Sequence, residues 1–192
     1  NIWLMALLVI PVIIGIHDLY HWSHLSEVVK DHLLQIKQPF LNTPFFIVRL
    51  IIYFSVWGWI ANKFFNGSVA QDDTGDPTIT LALQRRSTYS LIILALTFTF
   101  ASIDLIMSLT PHWYSTIFGI YIFAGAITVL LCFTTLVYMY LRRTNLMKNV
   151  VNVEHFHDLG KLTYGFNIFW SYIAFCQFFL IWYANVPEET EF

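Results

Sequence analysis

The sequence predicts an all-α protein, a polytopic transmembrane helical bundle. Of its 192 residues, 57% are hydrophobic and only 11% are charged, whereas roughly a quarter of the residues in soluble domains are charged. Four apolar runs are long enough to cross a membrane, which takes about 20 residues in helical form. The net charge of −2 indicates little about partners, and nucleic acid is not expected among them.

About five spans are expected along a single transmembrane region, residues 1–192. The four full spans cover residues 44–65, 89–109, 116–141 and 163–186. A fifth, residues 2–16, begins almost at the first residue, with neither a Met nor the basic flank of a signal peptide. We interpret it as the truncated first helix of a larger bundle, with more protein expected on both sides.

Lys and Arg predict the orientation, because cytoplasmic loops are enriched in them. One side carries seven basic residues, in or beside loops predicted at 66–88 and 142–162, and the other carries two, Lys30 and Lys37. The richer side is predicted to be cytoplasmic, so that segment 17–43 and the C-terminal end lie on the outer side. The seven residues are Lys63, Arg85, Arg86, Arg142, Arg143, Lys148 and Lys161.

Asp104 lies inside the apolar run from Tyr89 to Leu109, where an ionisable side chain costs about 2.5–3.5 kcal/mol to insert. Arg49 lies five residues into its span from the same outer side, so both charges are about 7–8 Å below the outer boundary. We expect them to pair or to share a water-filled pocket, either as a functional site or as a structural ion pair. Small and polar residues at helical spacing predict that this face points inward: Thr97, Ala101 and Ser108.

Similar stripes of small and hydroxylated residues follow the next two spans. Such residues let transmembrane helices approach closely, which favours packing seams over conduits. The stripes are Gly125, Thr128, Cys132 and Thr135 on one span, and Asn167, Ser171 and Ala174 on the other. Cys132 and Cys176 form no Cys-x-x-Cys motif and differ in depth by about 10 Å, so this chain alone predicts neither an iron–sulfur cluster nor a disulfide.

Four titratable residues follow the first span: His17, Asp18, His21 and His24. On a continuous helix the three histidines would share one face. They could bind a metal or a haem, or pass protons, since imidazole titrates near neutral pH. Without a His-Glu-x-x-His motif, the pattern favours a hydrated proton-exchange or quinone-headgroup site over a metal, and a solvated face is the alternative.

Three more residues are candidates for a proton path or a quinone site. His112 follows Pro111 at the outer turn, where it is either interfacial or part of the outer cluster. His157 and Asp158 lie on the inner side, where they could feed protons from the cytoplasm or simply face solvent. No metal ligand is assigned among these residues.

Two stretches resemble a known family. They are ASIDLIMSLTPHWYSTIFGIYIFAG, from Ala101 to Gly125, and HDLGKLTYGFNIFWSYIAFCQFFLIWYANVPEE, from His157 to Glu189. Both closely resemble the second large membrane subunit of bacterial alternative complex III, a relative of the polysulfide-reductase NrfD-like membrane subunits. The polar turn from Asp73 to Arg86 fits the same pattern, so the resemblance covers most of the chain after about Asp72.

The resemblance implies a subunit of a quinol:electron-acceptor oxidoreductase in the bacterial inner membrane. With the orientation predicted from Lys and Arg, segment 17–43 and the C-terminal end then lie in the periplasm. It implies multihaem cytochrome, iron–sulfur and paralogous membrane subunits as partners, which carry the haems and clusters. This chain is expected to bind no redox cofactor alone, although quinone or menaquinone could bind.

The sequence therefore predicts an integral membrane subunit that contributes a quinone-facing cavity, a proton pathway, or both. Asp104, His17, Asp18 and His21 are the candidate proton carriers, and Arg49 is the charge that tunes them. A structural membrane anchor for the redox subunits is the alternative from another class. A transporter is a third, but only residues 116–141, with Gly119 and Gly125, suggest a broken helix.

Overall fold

A computed structural model describes residues 2–147 and 150–184 and confirms the all-α class, with 85% of those residues helical. Four helices are long and apolar enough to cross a membrane, as a multi-pass membrane protein requires. The chain divides into two compact units, residues 1–114 and 115–192. Its helices are α1 (Ile2–Ile14), α2 (Ile16–Leu19), α3 (Leu25–Lys30), α4 (His32–Lys37), α5 (Thr43–Thr74), α6 (Pro77–Leu105), α7 (Phe118–Arg143) and α8 (Val153–Ala184).

In the first unit, segment 17–43 folds as a cap of short helices over the start of α5 and the end of α6. We call this the outer end, after the orientation that the sequence predicts. Alongside α2, α3 and α4, the cap contains a 3-10 turn at His21–Ser23. A continuous helix with His17, His21 and His24 on one face does not form. The backbone is extended at Tyr20 (φ −116°, ψ 108°) and at His24 (φ −90°, ψ 114°) and so interrupts it. Burial of Tyr20 and Trp22 in the core sets this path.

The prediction of a loop at residues 66–88 is also wrong. Helix α5 continues to Thr74 and α6 begins at Pro77, so the two helices meet in a tight turn. Gly75 ends α5 with a φ of +68°, a left-handed conformation that a side chain disfavours. Asp76 then accepts a hydrogen bond of 2.8 Å from the Thr78 N–H and starts α6, with Pro77 in its first turn. The polar residues of this segment are therefore helical residues beyond the apolar span.

The core of the first unit lies at its outer end. Residues from the cap pack there against α5 and α6, with α1 contributing Val9, Val12 and Ile13 at the edge. The buried members are Ile16, Tyr20, Trp22, Val28, Leu34, Leu41, Phe46, Leu50, Tyr53 and Ala101. This core surrounds the buried charges described below.

The second unit is the antiparallel pair α7 and α8. Gly125 lies against the Trp170 ring, and a Cβ added at Gly125 would be 3.0 Å from Trp170 Nε1. Tyr121 stacks on the same ring with centroids 5.6 Å apart, so Gly125 lies in a packing seam, whereas Cys132 of the same stripe is exposed. The hydroxyls of Thr128 and Thr135 donate to carbonyls of their own helix.

The predicted spans 44–65, 89–109 and 116–141 fall almost wholly within α5, α6 with the 3-10 turn that follows it, and α7. Span 163–186 lies in α8 up to Ala184. Its last two residues, the C-terminal end predicted to be periplasmic, and Lys148 lie outside the described residues.

Gly125→Val should weaken the α7–α8 pair, because the added side chain forces the Trp170 ring away from the seam. We expect about 1–3 kcal/mol of destabilisation from this overpacking. Thermal unfolding in detergent, followed by tryptophan fluorescence, measures the effect. Gly165→Val is the matched control, because a Cβ at Gly165 meets nothing within 4 Å. Equal losses in both variants would refute the seam at Gly125.

Candidate functional site

A bidentate ion pair between Arg49 on α5 and Asp104 on α6 lies within the core at the outer end of the first unit. Arg49 Nε donates to Asp104 Oδ2 at 2.8 Å, and Arg49 Nη2 donates to Oδ1 at 2.9 Å. The Asp104 side chain is 0% exposed and that of Arg49 is 8% exposed. Equal depth in the membrane predicts this contact from the sequence, and the structure confirms it.

Two further hydrogen bonds hold the pair, one to Asp104 and one from Arg49. Tyr53, one helical turn after Arg49, donates its hydroxyl to Asp104 Oδ2 at 2.7 Å. Arg49 Nη1 donates to the Phe40 carbonyl at 2.9 Å. The guanidinium carbon lies 4.0 Å from the ring centroid of Phe40 and 4.4 Å from that of Phe45, which is close enough for cation–π attraction.

This arrangement explains why two charges are tolerated in a buried place. Desolvating an ion pair is repaid only when the geometry is good and other hydrogen bonds satisfy the remaining groups. Asp104 has three donors on its two oxygens, and Arg49 reaches a carbonyl and two rings as well. Removing one partner from such a pair typically costs about 3–5 kcal/mol.

The cap also binds the outer end of α6, where helical carbonyls lack partners in their own helix. The Tyr20 hydroxyl donates to the Leu105 carbonyl at 3.0 Å, and Trp22 Nε1 donates to the Ser108 carbonyl at 3.1 Å. Ser108 in turn donates to the carbonyl of Asp104. Burial, with a smaller contribution from the Asp104 charge, raises the pKa of Tyr20 to about 12, so its hydroxyl remains a donor.

Of the four titratable residues after the first span, only His17 and His24 lie together. His24 Nε2 lies 2.7 Å from the His17 carbonyl, and the two rings are 5.7 Å apart. His17 Nδ1 contacts the Ser23 hydroxyl at 3.1 Å. His21 points elsewhere, into a surface depression, and Asp18 is exposed beside the cluster. None of these four residues contacts the Arg49–Asp104 pair.

His112 pairs with Asp31 of the cap, and its Nε2 lies 2.5 Å from Asp31 Oδ2. Asp31 also caps α4 by accepting from the Leu33 N–H at 2.9 Å. Partial desolvation raises the pKa of Asp31, but the hydrogen bonds from His112 and Leu33 outweigh it and hold that pKa below 3.8. The pair lines a depression of about 410 Å³. Its other lining residues are His21, Glu27, Lys30, His32, Leu34 and Pro111.

A smaller apolar cavity of about 210 Å³ adjoins that depression and shares Pro111 with it. Lys37 reaches its rim, where Nζ donates to the Pro111 carbonyl at 2.5 Å. Burial lowers the pKa of Lys37, and the charge of Asp31 opposes that shift. We call this space the outer cavity; its remaining lining residues are Phe40, Leu41, Ile103, Met107, Ser108, Trp113 and Tyr114.

His157 and Asp158 are exposed residues of α8, in the second unit. Asp158 Oδ1 lies 3.7 Å from Lys161 Nζ one turn later, which is an ordinary surface ion pair. Neither residue contacts another of the candidate residues in the described part of the chain. Residues 2–147 and 150–184 hold no group of three potential metal ligands, and Cys132 and Cys176 are free thiols.

Sequence reasoning missed several residues of the site. Tyr53 follows Arg49 at i+4, so helical spacing could have placed its hydroxyl beside the same partner. Asp31, between Lys30 and His32, carries the N-cap signal of an acidic residue before a helix. The Phe40 carbonyl gave no sequence signal, because its role depends on how the cap folds.

Comparison with known proteins adds no identity. No protein-family model matches the chain, and no curated protein matches it.

Acid should weaken the link between Asp31 and His112. A carboxyl whose pKa is lowered by folding stabilises the folded state above its ordinary value of 3.8, and that stabilisation is lost as the pH falls through the lowered value. Asp31→Asn keeps the helix cap but removes the charge. We expect wild type to have the higher thermal midpoint above pH 3.8 and the difference to shrink below it. A difference that acidification leaves unchanged would contradict this.

Proposed function

We propose that this chain is an integral membrane subunit of a bacterial respiratory quinol:electron-acceptor oxidoreductase, similar to the second large membrane subunit of alternative complex III. The observation that carries the proposal is the resemblance over Ala101–Gly125 and His157–Glu189. The first stretch contains Asp104, which is the acidic member of the ion pair, and Ser108 and Trp113, which line the outer cavity.

The outer cavity has the chemistry that a quinone headgroup needs. Aromatic and aliphatic side chains form its walls, and Lys37 and Ser108 supply polar groups at its edge. Oxidising a quinol releases two electrons and two protons. The electrons must pass to a cofactor held by a partner subunit, and the protons can leave through the adjoining depression, where Asp31 and His112 face solvent.

An isolated polar group on α8 supports the view that the chain is one subunit among several. Asn167, 14 residues from the start of a 32-residue helix, is exposed, and within the described residues its amide has no hydrogen-bond partner. An unsatisfied amide in hydrocarbon is costly. Multihaem cytochrome and iron–sulfur subunits and a paralogous membrane subunit, in the bacterial inner membrane, complete the proposed assembly.

For Asp104, the geometry favours a structural role over proton transfer. To accept a proton, its carboxylate must surrender a hydrogen bond from Arg49 or Tyr53 and leave a buried cation with a weaker partner. This observation also supports the second candidate function, a membrane anchor without chemistry of its own. The two candidates differ in whether quinol enters the outer cavity.

Asp104→Asn should reduce assembly of the complex, because it leaves Arg49 buried without a counter-charge, at about 3–5 kcal/mol. The apolar triple variant R49M/Y53F/D104L should restore assembly, since replacing a whole buried ion pair is often neutral. We expect the assembled triple variant to oxidise quinol within about twofold of wild type. Normal assembly with loss of quinol oxidation or proton release would instead place Asp104 on a proton path.

Met107→Trp should fill the outer cavity and lower quinol oxidation by the intact complex at least tenfold at subsaturating quinol, through a raised KM. Ile106→Trp is the matched control, because Ile106 is an exposed neighbour that does not line the cavity. Steady-state quinol oxidation at equal amounts of assembled complex measures the difference. Unchanged kinetics in Met107→Trp would favour the anchor.

A further inference from the structure

Two cations near the inner end of the α5–α6 hairpin have no partner in the part of the chain that the structure describes. Among residues 2–147 and 150–184, neither Lys63 nor Arg86 makes a hydrogen bond or an ion pair. Lys63 precedes Gly75 by 12 residues and Arg86 follows it by 11. In an antiparallel hairpin they therefore lie at the same level, about 17 Å from the turn.

Both cations border an open groove of about 760 Å³ along one face of α5. Its lining residues on that helix recur every three or four positions, from Ile51 to Asn66, over a length of about 22 Å. Gly58 lies midway, and a Cβ built there would meet nothing within 4 Å. The groove is therefore open where a larger side chain would fill it.

The groove is apolar toward the middle of the span and polar at the end near the membrane boundary, as a lipid-binding groove should be. Its deeper part is lined by Ile51, Phe54 and Gly58, whereas Asn62 and Asn66 line the end that carries the two cations. A second depression of about 180 Å³ adjoins this end and shares Lys63 and Arg86, together with Trp59. Tryptophan is enriched at the level of lipid headgroups.

We infer that this groove binds an anionic phospholipid on the inner side of the membrane. Lys63 and Arg86 hold the headgroup phosphate from two helices, and the amides of Asn62 and Asn66 supply further donors. One acyl chain lies along Ile51, Phe54 and Gly58. Basic pockets between transmembrane helices on the cytoplasmic side are suited to anionic headgroups. A free phosphate ion would contact the two cations but leave the apolar part of the groove uncovered.

Photo-crosslinking to the intact, detergent-solubilised complex tests the inference. The probe is a phosphatidylglycerol with a diazirine on its acyl chain, and peptide mass spectrometry reports crosslinks within α5. We expect wild type to crosslink along the groove at low micromolar probe and K63Q/R86Q to need at least tenfold more. Arg85→Gln is the matched control, because Arg85 is also an exposed cation but lines neither the groove nor the second depression. This variant should change the probe concentration needed for crosslinking by less than twofold.

Gly58→Leu tests the acyl-chain part without altering charge, and should likewise reduce crosslinking at least tenfold while leaving quinol oxidation unchanged. Competition identifies the headgroup: unlabelled phosphatidylglycerol should compete at least tenfold better than phosphatidylcholine or inorganic phosphate. Equal competition by phosphatidylcholine, effective competition by inorganic phosphate, or equal losses in Arg85→Gln and K63Q/R86Q would each overturn the inference. None of these outcomes depends on whether the complex oxidises quinol.

Discussion

The buried charge of Asp104 is the constraint on which the first unit depends. A carboxylate at that depth must be neutralised, and the structure does so with a bidentate guanidinium from the neighbouring helix and a tyrosine hydroxyl. These bonds fix the register of α5 against α6, because a shift of one residue would move Arg49 to another face of its helix. The pair thus determines which residues reach the outer end together.

The cap over that end follows from the same requirement. Arg49 has donors beyond those that Asp104 accepts, and the Phe40 carbonyl takes one of them while the rings of Phe40 and Phe45 cover the guanidinium. Holding Phe40 there requires the cap to fold back on α6, where Tyr20 and Trp22 bind the carbonyls of Leu105 and Ser108. The outer cavity is the space that remains between this cap and the end of α6.

The all-α class, the four spanning helices and the pairing of Arg49 with Asp104 could all be predicted, since each depends on local hydropathy or on depth along a helix. The true arrangement of His17, His21 and His24 could not be predicted from helical spacing. Burial of Tyr20 and Trp22 in a core built from distant parts of the chain decides the backbone path there. The helices at residues 66–88 could not be predicted from polarity, because loops are polar too, although polar residues such as Gln and Arg are good helix formers. Asp31 and His112 are 81 residues apart, and nothing in local sequence predicts such a contact.

The two units bury their spanning helices to different extents, and this bears on how the chain is used. In the most apolar 18-residue windows of α5 and of α6 with its following turn, 22% of residues are buried within the protein, but only 6% in those of α7 and α8. Lipid can cover an apolar face without cost, yet it cannot satisfy the Asn167 amide. The first unit satisfies its buried ion pair internally, whereas the α8 face that carries Asn167 requires a polar group from outside the described residues. The partner subunits that we propose in the bilayer are the source of such a group.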